Sequence, residues 1–251
     1  MTPPLESLMP LRRAQKGEDP RKIYLLYEGR NTEPLFVTPM LANNPEFAKA
    51  HVVFYPLNKT LNDGGATQPH KLIELAKAWI SQQDHKVFAS GRDKVLIVAD
   101  LDIYQGNQSM IDELVLRRLT GDIIFAFTNP AIELILLLED AQAWDKLIEP
   151  NKNEILKNDY AVDPMTHDLK RTDDGDPMRF VFSLFYEKYG HINPKKADFD
   201  ARRFYLHFAN IEMMENMYLN HWLSLAANKL SSNIFYVLKK IKEGCIEEIQ
   251  Y

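Results

Sequence analysis

Short apolar runs alternate with stretches of helical periodicity along the first 150 residues. Lys22–Tyr27 (KIYLLY), His51–Tyr55 (HVVFY), Lys94–Ala99 (KVLIVA) and Ile123–Phe127 (IIFAF) are continuous rather than alternating. Strands buried on both faces carry that signature, and parallel strands are the usual case. Pro56 is expected to stop the second run. Between the runs the period changes. Asn31 or Thr32 can cap a helix with Pro34 in its first turn, reaching about Leu41. From Pro69, Leu72, Ile73, Ala76, Trp79 and Ile80 recur at helical spacing. Ser109 opens another helix with Asp112 in capping-box position, and Gly121 ends it. Asn129 is expected to cap a fourth, with Pro130 at its first position, continuing through Ile132, Leu136 and Trp144. The alternation predicts an α/β domain over 21–149, a parallel four-stranded sheet flanked by helices.

The flanks differ. Residues 1–20 are Pro-rich and polar, and read as a flexible arm. Asn151–Pro177 is polar and Asp-rich. Met178–Tyr189, Phe199–Leu230 and Ser232–Glu243 have helical patterning, which predicts a C-terminal helical extension over 150–251, a lid or a docking surface.

Composition narrows the classes. With 251 residues, 45% hydrophobic and 26% charged, the chain has ample material for a core. The single Cys245 excludes an internal disulfide or a cysteine zinc site. The longest apolar candidate, Ile132–Leu138, is too short to cross a bilayer, and the opening residues lack a signal-peptide pattern. Cytoplasmic localisation with no membrane association is the expectation. A net charge of -5 confines any nucleic-acid binding to local basic patches. Such patches occur at Arg12-Arg13, Lys195-Lys196 with Arg202-Arg203, and Lys239-Lys240 with Lys242. The Lys195–Arg203 patch has Phe204 and Tyr205 beside it for stacking, although paired bases of this kind are more often solvated helix faces. No phosphate-binding P-loop, dinucleotide fingerprint, His-Glu-x-x-His or Gly-x-Ser-x-Gly motif is present.

Ligands of parallel α/β sheets bind at the carboxyl edge of the strands. Acidic residues follow three of the four runs: Glu28 after the first, Asp100 and Asp102 after the third, and Glu133 shortly after the fourth. On extended backbone, Asp100 and Asp102 would point to one side. Glu28 would join them if the first and third strands are neighbours. Clustered carboxylates require a hard cation, and oxygen ligands favour Mg²⁺ or Mn²⁺, which suits phosphate chemistry. Acids are also common after strands as caps and turn formers, and in first helical turns beside the helix dipole. The polar stretch Leu57–Gln68 lies on the same edge. Its Lys59 could contact a phosphate, or the stretch could be a surface connection.

Tyr27-Glu28-Gly29-Arg30-Asn31-Thr32-Glu33-Pro34 resembles the E-G-x-x-T-E-P opening of the RloB-like family, a branch of the Toprim superfamily. Asp100-Leu101-Asp102 is similar to the Toprim D-x-D. Asn129–Leu138 resembles that family's N-P-x-F-E-L-W-L-L-L segment. The resemblance runs over most of the chain from Lys22. It implies a Toprim-like Rossmannoid fold and metal-dependent cleavage of nucleic acid, DNA or RNA including tRNA. It also implies a role in bacterial anti-phage defence beside an ABC- or SMC-like ATPase. By position, Glu28 corresponds to the glutamate that acts as acid or base, and Asp100 and Asp102 to the metal ligands. Glu28 can also ligate, and Glu133 is a further ligand or a support for one. Arg30, Lys59, Lys195 and Lys196 are the candidates for substrate contact. The chain departs from the family at Leu101, Ile132, Glu139 and Asp140. Those departures and the acidic charge point to the alternative, a non-catalytic Toprim-like binding or regulatory subunit of an ATPase complex.

Overall fold

A computed structural model describes residues 5–12, 17, 19–29, 32–43, 45–60, 68–104, 107–117, 121–137, 144–157 and 230–249. The described residues fold as an α/β unit around a six-stranded mixed sheet of order β1-β3-β2-β4-β5-β6. The strands are β1 (Leu5–Ser7), β2 (Arg21–Tyr27), β3 (Val52–Lys59), β4 (Lys94–Asp100), β5 (Ile123–Asn129) and β6 (Ser231–Ser232). The central four are the runs expected from the sequence, and they pair in parallel. The sheet is wider than expected because two short edge strands join it antiparallel.

Both faces of the central strands are buried, which explains their unbroken apolar runs. Ile23, Leu25, Leu96, Val98, Ile124 and Ala126 face one core. That core is closed by helices α1 (Thr32–Asn43) and α2 (Pro45–Lys49), and by the last helix of the chain. Tyr24, Leu26, Val95, Ile97, Phe125 and Phe127 face the other core. There the cover is α3 (Pro69–Ser81) and α4 (Gln108–Arg117). Leu72, Ile73, Ala76 and Trp79 are buried, as the periodicity requires. After β5 come α5 (Glu133–Leu137) and, beyond two irregular turns, α6 (Lys152–Lys157).

Several local expectations shift, each for a physical reason. β3 runs through Pro56 to Lys59. Leu25↔Pro56 is its last pair with β2, but β1 takes over on the other side, from Ser7↔Leu57 to Leu5↔Lys59. Leu5 is 1% exposed, so part of the expected N-terminal arm belongs to the sheet. The cap of α4 is Asn107 rather than Ser109: its Oδ1 accepts from Met110 N–H at 3.3 Å, and Ser109 Oγ–H binds the same oxygen. The helix expected from Pro130 begins instead at Glu133. Asn129 is the last residue of β5, paired with Ser231, and its peptide bond to Pro130 is cis.

The segment 230–249, expected in the helical extension, returns to the sheet. Ser231–Ser232 form β6, and α7 (Ile234–Glu243) follows. Ile234, Val237, Leu238 and Ile241 of α7 are buried against the β2 and β4 core. Asn233 continues the ladder with its side chain. Its Oδ1 accepts from Phe127 N–H at 2.7 Å, and its Nδ2–H donates to Phe125 C=O at 3.2 Å. Gly244, at φ 76°, ends α7 in the left-handed conformation that glycine adopts without steric cost. The helices expected between 178 and 230 lie outside the described residues.

At the amino edge of the strands, a polar clasp ties the connections down. Asp93, fully buried, accepts from the backbone N–H groups of Lys22 and Ala89. Lys94 donates to the carbonyls of Gly91 and Gly121 and lies 3.8 Å from Asp122. No helix among the described residues is long and apolar enough to cross a membrane.

Candidate functional site at the carboxyl edge

The strand order contains one reversal. The chain passes from β2 to β3 on one side, then to β4 on the other side of β2. The crevice at the carboxyl ends of β2 and β4 is therefore the topological switch point, where open α/β sheets bind ligands. Glu28 follows β2 and Asp100 ends β4. The neighbour relation that the carboxylate cluster requires is met, with Tyr27 opposite Val98.

Glu28 is held at both ends. Its N–H donates to Val98 C=O at 3.0 Å, which carries the ladder one residue past β2. Its half-buried side chain reaches across to β4, where Oε2 accepts from Asp100 N–H at 2.7 Å. Lys59, at the end of β3, donates from Nζ to the Glu28 carbonyl at 2.5 Å. The expected phosphate-binding lysine thus lies against the expected catalytic glutamate.

The Glu-Gly-x-x-x-Glu spacing has a local cause. Glu33, buried in the first turn of α1, folds back so that Oε1 accepts from Gly29 N–H at 2.8 Å. A Cβ on residue 29 would collide with Glu33 Oε2. A side chain at this position could be seated only by moving the Glu33 carboxylate off Gly29 N–H. The turn is pinned further by Tyr27, whose hydroxyl lies 2.8 Å from Thr38 Oγ1 of α1. Burial pushes the Tyr27 phenol above its ordinary range, so it stays a neutral partner.

Asp100 is 5% exposed. Its Oδ1 accepts from Ile132 N–H at 3.0 Å, just ahead of α5. Leu101 N–H is shared between the carbonyls of Thr128 and Pro130, at 2.9 and 3.1 Å. Together these bonds fold the Asn129–Ile132 turn over the end of β4 and bring the buried Glu133 to the same edge. Glu28 and Asp100 each spend one carboxylate oxygen on a backbone amide, which helps offset the cost of burying charge.

Asp102 is placed differently from the expectation. β4 ends at Asp100, and Asp102–Tyr104 form a single 3₁₀ turn. The two-residue spacing therefore does not continue along extended backbone, and strand alternation does not align the two aspartates. The turn places Tyr104 where its hydroxyl lies 3.2 Å from Nδ1 of His70, in the first turn of α3. Sequence reasoning passed over this pair. His70 is a lone histidine with no motif around it, and its partner is 34 positions away.

Among the described residues, no group of three or more acidic, histidine or cysteine side chains is arranged to hold a metal ion. Arg30, Lys195 and Lys196 lie outside the described residues, as do positions 158–177 of the Asp-rich stretch. An open cleft of about 530 Å³ between residues 6–10 and Lys22, Tyr24, Tyr55 and Val87 contains none of the carboxyl-edge residues. No family model, curated protein or solved structure matches the chain.

Proposed function

We propose that the carboxyl edge is a Toprim-like, metal-dependent site for cleaving the phosphodiester bonds of DNA or RNA. The observation that carries this reading is the meeting of Glu28 and Asp100 at the switch point, with Glu28 Oε2 on Asp100 N–H. The donor set fits a hard cation. Mg²⁺ characteristically takes one or two carboxylates and completes its shell with water and substrate phosphate, so a two-carboxylate site suffices. Asp100 and Glu28 would hold Mg²⁺ or Mn²⁺, with Asp102 and Glu133 at the same edge as further ligands or supports. When bound, the ion supplies charge neutralisation at the scissile phosphate and an activated water. The chain's own part is to fix Asp100 through Ile132 N–H, to fix Glu28 through Asp100 N–H, and to place the Lys59 ammonium beside them. A defence role beside an ABC- or SMC-like ATPase rests on the RloB-like resemblance.

The test is cleavage of plasmid DNA, single-stranded DNA and total tRNA with Mg²⁺ or Mn²⁺, by the wild type and by Glu28→Gln and Asp100→Asn. Both substitutions keep an acceptor for the backbone amide and remove the charge. Cleavage by the wild type that falls at least ~100-fold in both variants supports the reading. Equal cleavage by all three proteins overturns it.

A second reading is a binding subunit without catalysis. It is favoured by the engagement of both carboxylates with backbone amides, a role that needs no metal. Calorimetry separates the two: a catalytic edge binds Mn²⁺ and loses it in Asp100→Asn, whereas purely structural carboxylates bind none.

A further inference from the structure

Hydrolysis of a phosphodiester needs a proton for the departing oxygen as well as an activated water. Glu28 is built into the edge as an acceptor, through Oε2 on Asp100 N–H. Three observations bring an imidazole to the same edge. The first is the direction of α3. Its last turns lie at the amino edge, where Trp79 packs 4.6 Å from Tyr24 and 5.9 Å from Phe88, ring centre to ring centre. Its first turn therefore stands at the carboxyl edge, and His70 is in that turn. The second is the anchor. Tyr104 is 3% exposed and sits in the turn that begins at Asp102, two residues beyond Asp100. Its hydroxyl fixes Nδ1 of a half-buried imidazole at 3.2 Å. The third is the placement of the other described histidines. The carbonyl of His51 binds Arg21 N–H at the start of β2, and His85 is exposed beyond the end of α3. Among the described residues, His70 is the imidazole of the carboxyl edge.

We infer that His70 is a catalytic residue of this edge and gives its Nε2 proton to the leaving oxygen of a nucleic-acid phosphodiester. The inference rests on the nuclease reading above. In the step, water oxygen bonds to phosphorus while the bond from phosphorus to the leaving oxygen breaks. The electron pair stays on the leaving oxygen, and the His70 proton goes to it. Nδ1–H stays on Tyr104 oxygen throughout, so one ring nitrogen is fixed while the other exchanges its proton. Solvent water then reprotonates Nε2, and the attacking water's second proton returns to solvent. A tyrosine hydroxyl suits the anchor because it can accept without carrying charge.

The experiment uses a synthetic oligonucleotide of the class that the wild type cleaves, with either oxygen or sulfur at the bridging leaving position, in Mn²⁺. A thiolate departs without a proton. His70→Gln, whose amide can still reach Tyr104, is expected to be ~100-fold slower than wild type on the oxygen bridge. On the sulfur bridge it should stay within about threefold. Binding of the oxygen oligonucleotide in EDTA, read by fluorescence anisotropy, should also stay within about threefold of wild type, which separates proton transfer from binding. Tyr104→Phe should show the same pattern more weakly. Equal loss on both bridges, or no loss on either, overturns the assignment while leaving the nuclease reading intact. A wild type that cleaves neither bridge, and no member of the nucleic-acid panel, overturns the nuclease reading and this inference with it.

Discussion

Replacing Asn233 with alanine should cost the fold about 2–4 kcal/mol, because two buried backbone groups lose their partner together. Asn233 is 1% exposed. Its carbonyl takes Phe127 N–H at 2.7 Å and its amide gives to Phe125 C=O at 3.2 Å. Each orphaned group carries a desolvation penalty of roughly 1–3 kcal/mol, and the carbonyl the smaller share. The total is a large fraction of the ~5–15 kcal/mol that holds a domain together. Urea unfolding followed by circular dichroism measures it. With a slope near ~3 kcal/mol per molar, the midpoint should fall by roughly 1 M. Asn233→Asp is the sharper variant. It keeps the acceptor for Phe127 N–H, but sets an oxygen against the Phe125 carbonyl and buries a charge. It should be at least as destabilised as the alanine variant at neutral pH. A midpoint shift below ~0.2 M for alanine would refute the role assigned to this side chain.

Other outcomes follow from the same geometry. Asp100→Ala should unfold at lower urea than Asp100→Asn in metal-free buffer, by about 1–2 kcal/mol, since only asparagine still accepts from Ile132 N–H; equal midpoints would show that this bond does not hold the turn. Gly29→Ala should destabilise by about 1–2 kcal/mol and reduce cleavage, because its Cβ displaces Glu33 from Gly29 N–H; the companion Glu33→Gln, which restores no space, should not rescue it. Lys94→Met should cost about 2–3 kcal/mol, chiefly by stranding the Gly91 and Gly121 carbonyls, since Asp122 keeps its bonds from Ser90 Oγ–H and Gly91 N–H; the readout is a lowered midpoint with catalysis retained below the transition. EDTA should abolish cleavage and Mn²⁺ should restore it; activity that persists in EDTA would remove the divalent ion from the reaction.

The parts legible in the sequence were those specified by local pattern. The four apolar runs became the four central strands, and the spacing of Leu72, Ile73, Ala76 and Trp79 became the buried face of α3. The acidic residues after the runs fell at the carboxyl edge because a parallel strand fixes which end its successor occupies. The parts that escaped are those specified by distant partners. Ser231–Ser232 reads as a helix start, since nothing local announces that Thr128 and Asn129 stand ready to pair with it. Leu5–Ser7 is three residues long and gains its meaning from β3. Asp102 reads as the continuation of a strand, yet the strand ends two residues earlier. His70 becomes notable only once the fold sets Tyr104 beside it.

The pairing of β5 with β6 also has a consequence for a chain emerging from the ribosome. Ser232 Oγ closes on the Phe127 carbonyl from 105 positions downstream. At synthesis rates of roughly 5–20 residues per second, about 5–20 s separate the appearance of β5 from that of its edge partner. For that interval the aromatic strand Ile123–Asn129 lacks the partner that finishes its outer side, the condition under which strands pair with the wrong neighbour. Nascent chains stalled between residues 129 and 230 should therefore engage holding chaperones, and release them once Ser231–Asn233 have cleared the tunnel.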